Sequence, residues 1–185
     1  MSRRGIREQT SFEMRIETVV TELEMTERPA LHVPVPNLRL GVMRAAPIPV
    51  HFYRYLYDTV GRTHHWVERK RWDDAKLAAR INDAAVTVMV LYAGGVPAGF
   101  YELAADAPGT VRLALFGIVP DYRGRGLGRY FLAHAIREAW ARTPERVRVE
   151  TCTLDHVAAL PLYQKMGFRP IGRRSRVVEA LDETA

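Results

Sequence analysis

The segment Val119-Pro120-Asp121-Tyr122-Arg123-Gly124-Arg125-Gly126-Leu127-Gly128 joins an apolar run, Leu113 to Val119, to an amphipathic one, Arg129 to Trp140. The order is strand, basic glycine turn, helix. Such a turn presents unpaired backbone N–H groups and the positive end of a helix dipole, which together suit a phosphate. The spacing Arg123-x-x-Gly126-x-Gly128 is neither the dinucleotide fingerprint G-x-G-x-x-G nor a P-loop, which ends in Gly-Lys-Ser/Thr. The alternative is an ordinary strand-to-helix turn that uses Gly because the connection is tight.

At these residues the chain resembles the GNAT superfamily of acetyl-coenzyme A-dependent acyltransferases, whose signature is Gln/Arg-x-x-Gly-x-Gly/Ala after an apolar strand and Val-x-Pro. A second stretch, Ala159-Leu160-Pro161-Leu162-Tyr163-Gln164-Lys165-Met166-Gly167-Phe168, is similar to the later family motif of a short helix that ends at Gly-Phe. The resemblance covers roughly residues 38 to 178. It implies an α/β fold, with a mixed, largely antiparallel central sheet flanked by helices on both faces. It also implies that acetyl-CoA is the co-substrate. The backbone amides of Ile118 and Val119 would then meet the pantetheine arm, and those of Arg123, Gly124, Arg125, Gly126, Leu127, Gly128 and Arg129 the pyrophosphate. Arg123 and Arg125 add side chains that suit phosphate.

Acyl transfer to an amine needs the donor held, the amine neutral and the leaving thiolate accepted. An alkyl amine of pKa roughly 10 is only about one part in a thousand free base at pH 7, so a general base or a water chain is required. The thiol leaves more readily, so an acid helps without dominating. By the resemblance, Tyr163 is the acid near the thioester sulfur; a half-buried aromatic at helical spacing from Ala159 and Met166 is the other reading. Seven residues before it, where the family often has Asn on coenzyme A, stands His156. Its imidazole offers a hydrogen bond, or it merely follows a helix cap at Asp155.

Many relatives carry a Glu in the strand before the turn, but Leu113-Ala114-Leu115-Phe116-Gly117 holds no carboxylate. Glu102, on the preceding strand and on the face opposite Tyr101, becomes the candidate base by topology. Glu150 is a lesser candidate and a water chain a third. The resemblance places the acceptor beside the first two helices and their connection, where Tyr53, Tyr57, His65 and Trp66 are the candidate substrate contacts, with His64 and Trp72 nearby. These rings suit an apolar or aromatic acceptor or a stacked cation; a hydrophobic minicore is the alternative. His64-His65 lacks a further ligand at metal spacing, so no metal is expected.

Composition sets bounds that agree. A chain of 185 residues, 48% hydrophobic, can bury one sizeable core. The net charge of +6 allows a nucleic-acid surface, yet no basic-aromatic platform or helix-turn-helix pattern accompanies it. Cys152 is the sole cysteine, which excludes an intrachain disulfide. The first residues lack the apolar core of a secretory signal, and no apolar run approaches the roughly 18 residues of a membrane span. The expectation is a cytoplasmic protein with no membrane partner.

Along the chain, residues 1 to 37 read as an N-terminal extension, frayed over 1 to 11 and then a bent strand or a dimer arm from Phe12 to Met25. Residues 38 to 178 read as the acetyl-CoA-binding acyltransferase domain and 179 to 185 as a polar tail. Pro49 opens a helix that Gly61 stops, and Asp73 or Asp74 opens a second. Three strands follow, joined first by Gly94-Gly95, and the strand glycine Gly117 marks a bulge or a close backbone approach. After the glycine turn come a helix with Leu127, Phe131 and Ala135 on one stripe, a strand from Val147, a helix capped by Asp155 and a last strand to Val178. The resulting reading is an N-acetyltransferase acting on a small-molecule or peptide amine, as a possible homodimer. A non-catalytic acyl-CoA-binding regulatory module and a nucleic-acid-associated protein are the alternatives.

Overall fold

The computed structural model describes residues 14–180; the stretch expected to fray and the end of the polar tail lie outside the described residues. Seven strands form one sheet in the order β2-β3-β4-β5-β6-β1-β7. They are β1 (Met14–Met25), β2 (Leu40–Arg44), β3 (Val86–Ala93), β4 (Val96–Ala107), β5 (Thr110–Ile118), β6 (Arg146–Cys152) and β7 (Arg169–Ala180). Four helices flank them: α1 (Val50–Gly61), α2 (Asp74–Ile81), α3 (Leu127–Trp140) and α4 (Ala159–Lys165). The expected mixed, largely antiparallel sheet with helices on both faces is what forms.

Period-two alternation divides the strands between two cores. Val86, Val88 and Val90 of β3 and Phe100 of β4 face α1 and α2, meeting Tyr53, Leu56, Tyr57 and Val60. Met89, Leu91, Tyr101 and Leu103 face the other way, against Phe131, Leu132, Ala135 and Ile136 of α3 and Tyr163 of α4. Gly94 and Gly95 both have positive φ, as a two-residue hairpin turn requires. Asp73 accepts a hydrogen bond from the Lys76 amide and so caps α2.

The N-terminal segment forms the expected strand, with a register shift at Glu22/Leu23, in a place that its sequence does not give. β1 is an interior strand, antiparallel to β6 over Val20–Met25 and to β7 over Met14–Glu24. The phase change in its apolar pattern has a simple cause: Thr18 and Val20 are buried on one face, Thr21, Leu23 and Met25 on the other. It is therefore no free arm, and the outer strands of the sheet are β2 and β7. The last strand likewise runs on to Ala180, beyond the expected Val178.

All neighbouring strands are antiparallel except β5 and β6, whose connection is long enough to carry α3 as a crossover. Their pairing runs from Thr110 opposite Arg146 to Leu113 opposite Val149 and stops there, although β5 continues to Ile118 and β6 to Cys152. Beyond that point β5 stays with β4 and β6 with β1. Leu115 lies opposite Glu102 while Leu113 lies opposite Leu103, so Ala114 is an extra residue in β5. The bulge is thus at Ala114, not at the strand glycine. Gly117 serves close packing: a Cβ there would come within 2.1 Å of the Val60 side chain.

Gly117→Ala is expected to destabilise the fold by about 1–3 kcal/mol, the cost of overpacking a tight contact. In a Val60→Ala background that penalty should shrink by about 1 kcal/mol or more, because the clashing methyl is gone. Denaturant unfolding of the four proteins in this cycle measures both terms.

Candidate functional site

Where β5 and β6 part, a cavity of about 270 Å³ opens. Its walls include Leu115 to Ile118 of β5, Glu150 of β6, the turn residues Arg123, Gly124 and Gly126, and Leu162 and Tyr163 of α4. A second cavity, of about 220 Å³, opens on the side of α1 and holds Tyr57, His65, Glu68, Arg112, Cys152 and Arg176. Both are lined by His64, Trp66, Ala114, Leu115, Glu150 and Asp155. A single slot thus runs from the glycine turn to the segment that follows α1.

The glycine turn is built as an anion cradle. The amides of Tyr122 and Arg123 donate to Val119 and Pro120, but those from Gly124 to Arg129 make no hydrogen bond to a described residue. Gly124 and Gly126 both have positive φ, which lets successive N–H groups converge, and α3 begins without a side-chain cap. Leu127 is buried and anchors the helix start, whereas Arg125 and Arg129 are exposed at the rim. Two expected amides are already used: Arg123 N–H as above, and Val119 N–H, which donates to Ala98 O at 2.9 Å. Val119 packs in the core beside α1 and leaves Ile118 as the strand residue on the cavity.

Tyr163 faces this cavity from α4, edge-on to Phe116 and Phe168. Burial, helped by the charge of Asp155, pushes its phenol well above the ordinary value, so it stays protonated at any working pH. The short helix that carries it closes with Gly167 N–H on Gln164 O and Phe168 N–H on Tyr163 O, a Schellman ending with Gly at φ 104°. Asp155 does not cap this helix, which starts only at Ala159. Its carboxylate accepts instead from Thr151 Oγ1 and the Cys152 amide, both at 2.9 Å, and closes the turn after β6. His156 Nδ1 accepts from the Ala158 amide at 3.2 Å, which leaves the Nε2–H of the neutral ring for a ligand in the cavity.

Two sequence candidates lie elsewhere. Glu102 is completely buried on the α1 face, where Oε2 accepts from Tyr53 Oη at 2.7 Å and Oε1 pairs with Arg69 at 2.9 Å. Arg80 adds a second cation at 3.7 Å. The carboxylate is committed to this network and lines neither cavity, which removes it as the base. Tyr53, equally buried, is its partner and not a substrate contact. Arg69 belongs to the segment linking α1 and α2, so the pair ties that segment to the sheet. Its Nη1 is buried without a partner among the described residues.

Tyr57, His65 and Trp66 do face the second cavity. Burial pushes the Tyr57 phenol up to about 12, and its oxygen accepts from the Arg69 amide. Gly61 gives Trp66 room: a Cβ there would lie 2.5 Å from the Trp66 side chain. The indole N–H reaches Asp155 at 3.4 Å. His64, beside these rings in the sequence, has partners on both ring nitrogens. Its Nδ1 meets Leu154 O at 3.1 Å and its Nε2 meets Arg123 Nη2 at 3.0 Å, so it bridges the two lips of the slot. The sequence signal was the pair His64-His65 in a loop, which reads poorly because the two side chains part: His65 turns away through a left-handed backbone at φ 54°.

The sequence matches the acetyltransferase (GNAT) family over residues 51–168, well over half of the chain. No curated protein matches it. Several solved structures share the fold. A GCN5-related N-acetyltransferase from Sphaerobacter thermophilus aligns at TM-score 0.58 and 14% identity, over 89% of this chain and 53% of that one. The ribosomal-protein-S18-alanine N-acetyltransferase of Escherichia coli aligns at 0.57 and 17%, over 79% and 98%. A Bacillus subtilis acetyltransferase in complex with CoA aligns at 0.53 and 21%, over 71% and 77%. The chain spans 54–64% of the length of three larger matching structures.

Removing the charge of Glu102 leaves Arg69 buried beside a neutral group. Glu102→Gln is expected to cost about 3 kcal/mol of stability, the scale for breaking a buried pair. The acidic limb of any amine-dependent reaction should stay where it is. Denaturant unfolding and a pH–rate profile, run on the same variant, check the two parts.

Proposed function

The chain belongs to the acetyltransferase (GNAT) family, and on that premise we propose that it moves an acetyl group from acetyl-coenzyme A directly to a primary amine. The observation that carries this reading is the placement of the unpaired amides of Gly124 to Arg129, and of Tyr163, on one slot that continues into a second cavity. A phosphate ligand fits the first part: several N–H groups point at one place at a helix N-terminus, with Arg123, Arg125 and Arg129 on the same turn.

In this reading the amides of Gly124 to Arg129 hold the pyrophosphate of coenzyme A, while the backbone of β5 near Ile118 and the His156 Nε2–H line the path of its arm. When bound, the co-substrate supplies an acetyl group activated as a thioester. The protein's residues do the rest. Tyr163, neutral and facing the cavity, gives its proton to the departing sulfur. The second cavity takes the amine, with Tyr57 and Trp66 offering aromatic faces. Holding both reactants in one slot is worth roughly 7–11 kcal/mol, most of the acceleration required. A small-molecule or peptide amine enters from the α1 side.

Free-thiol release from acetyl-coenzyme A across a panel of amines, with calorimetric coenzyme A binding on the same preparation, tests the proposal. Amine-dependent release with binding is the expected result. Gly126→Val should weaken coenzyme A binding, since the position needs φ of +76°. Tyr163→Phe should lower kcat by about tenfold with little change in the KM for acetyl-coenzyme A, as befits an acid aiding a good leaving group. Binding without release on a broad panel would favour a regulatory acyl-coenzyme A-binding module, and no binding would overturn the cradle.

A further inference from the structure

The transfer requires a proton acceptor, and Glu102 is sealed from the slot. The two carboxylates that line both cavities are engaged: Glu150 accepts from Arg174 at 2.8 Å, and Asp155 holds the turn after β6. His156 uses its Nδ1 lone pair on the Ala158 amide. His65 and Glu68 open on the second cavity alone, whereas His64 lines both cavities, and its tautomer follows from its partners. Leu154 O can only accept, so Nδ1 carries the proton; a guanidinium can only donate, so Nε2 presents its lone pair to Arg123. The free pair of a neutral imidazole therefore sits in the slot, covered by the first residue of the phosphate turn.

We propose that His64 is the proton acceptor of the transfer and that Arg123 masks its Nε2 until coenzyme A draws the guanidinium toward phosphate. The proposal rests on the acetyltransferase reading given above. The amine nitrogen bonds to the acetyl carbon as the carbon–sulfur bond breaks. The amine proton passes to His64 Nε2, the sulfur takes the Tyr163 proton, and the imidazolium restores the balance to Tyr163 through solvent.

The charged and titratable groups around His64 are Arg123 of the phosphate turn, Asp155 and His156 of the segment before α4, Glu150 and Cys152 of β6, Arg112 of β5, Arg176 of β7, and Tyr57, His65 and Glu68 of α1 and the segment after it. Burial, with the charge of Arg123 adding to it, holds the imidazole below its ordinary value. The base works unprotonated, so the rate falls as pH drops through the His64 value. Withdrawal of Arg123 raises that value, and the acidic limb moves to higher pH than the titration of His64 in the free protein.

Three measurements on the full chain decide the matter: the pH–rate profile of the wild type with an amine that it acetylates, the same profile for His64→Gln and His64→Ala, and the imidazole NMR titration of His64 with and without coenzyme A. Gln keeps a donor for Leu154 O, which separates loss of the base from loss of the bridge. The expected results are a loss of about 10²-fold in kcat for both variants, coenzyme A affinity no weaker than the wild type's because Arg123 is already free, no acidic limb in the remaining rate, and partial rescue of His64→Ala by added imidazole. Coenzyme A alone should shift the His64 ring signals and raise its midpoint. A His64→Gln enzyme that keeps its rate or its acidic limb overturns the base assignment, and so does loss of coenzyme A binding or of fold without imidazole rescue. Ring signals that ignore coenzyme A overturn the masking. If the wild type acetylates no amine, the acetyltransferase reading falls and the base with it, a result distinct from an active wild type beside an equally active variant.

Discussion

The parting of β5 from β6 after Leu113 and Val149 is the constraint on which the rest depends. Two parallel strands that continued in register would satisfy each other's backbone and leave a closed sheet. Here each finds another partner on its outer side, β4 for β5 and β1 for β6. The inner edges of the two strands are thereby left facing the slot with their backbone groups, and the bulge at Ala114 turns β5 away where the gap begins. The Gly117–Val60 contact then holds α1 close against the diverging strand. The interior position of β1 is part of the same device, since without it the far half of β6 would have no antiparallel neighbour.

A second constraint fixes the opposite wall. The segment between α1 and α2 has little regular structure, and apolar packing alone would leave it free to slide. The pair between Arg69 and Glu102, with Tyr53 donating to the same carboxylate, ties it at one place on β4. A buried pair of this kind is weak evidence for stability, because desolvation offsets much of the attraction. Its consequence is positional. Arg69 stacks over Trp72 and its amide meets Tyr57, so the aromatic wall of the second cavity is aligned from the same anchor.

Much of the fold was legible in the sequence, since period and punctuation decide it. The strands from Val86 to Ile118, the stripe of α3 and the Gly167 ending of α4 follow from local rules. β1 was not legible as an interior strand, because its buried face changes between Val20 and Thr21, and the broken alternation resembles an irregular arm. The phosphate turn was legible in type and position, yet Val119 and Arg123 spend their amides on Ala98 and Pro120, a fact of register that spacing does not carry. Glu102 was assigned by topology, and topology gives a face without a depth. That face turned out to be the core. His64 was hidden because its role depends on Leu154 and Arg123, which are distant from it in the chain.

The slot is chemically polarised along its length. At the turn, unpaired N–H groups and three arginines favour phosphate; the shared wall carries Glu150 and Asp155, and past it Glu68 stands with Arg112 and Arg176 in a lining of mixed charge. His64 lines both regions and is tied to the turn through Arg123. A guanidinium held by a neutral imidazole nitrogen and a carbonyl makes hydrogen bonds in which only one partner is charged. With a phosphate within reach it exchanges a neutral acceptor for an anionic one, and the attraction between opposite charges adds to the hydrogen bond. The exchange is therefore downhill once the phosphate arrives, and it leaves the imidazole lone pair uncovered in the same step. On the proposed mechanism, the order of events follows from that difference: the proton acceptor becomes available only after the acyl donor is in place.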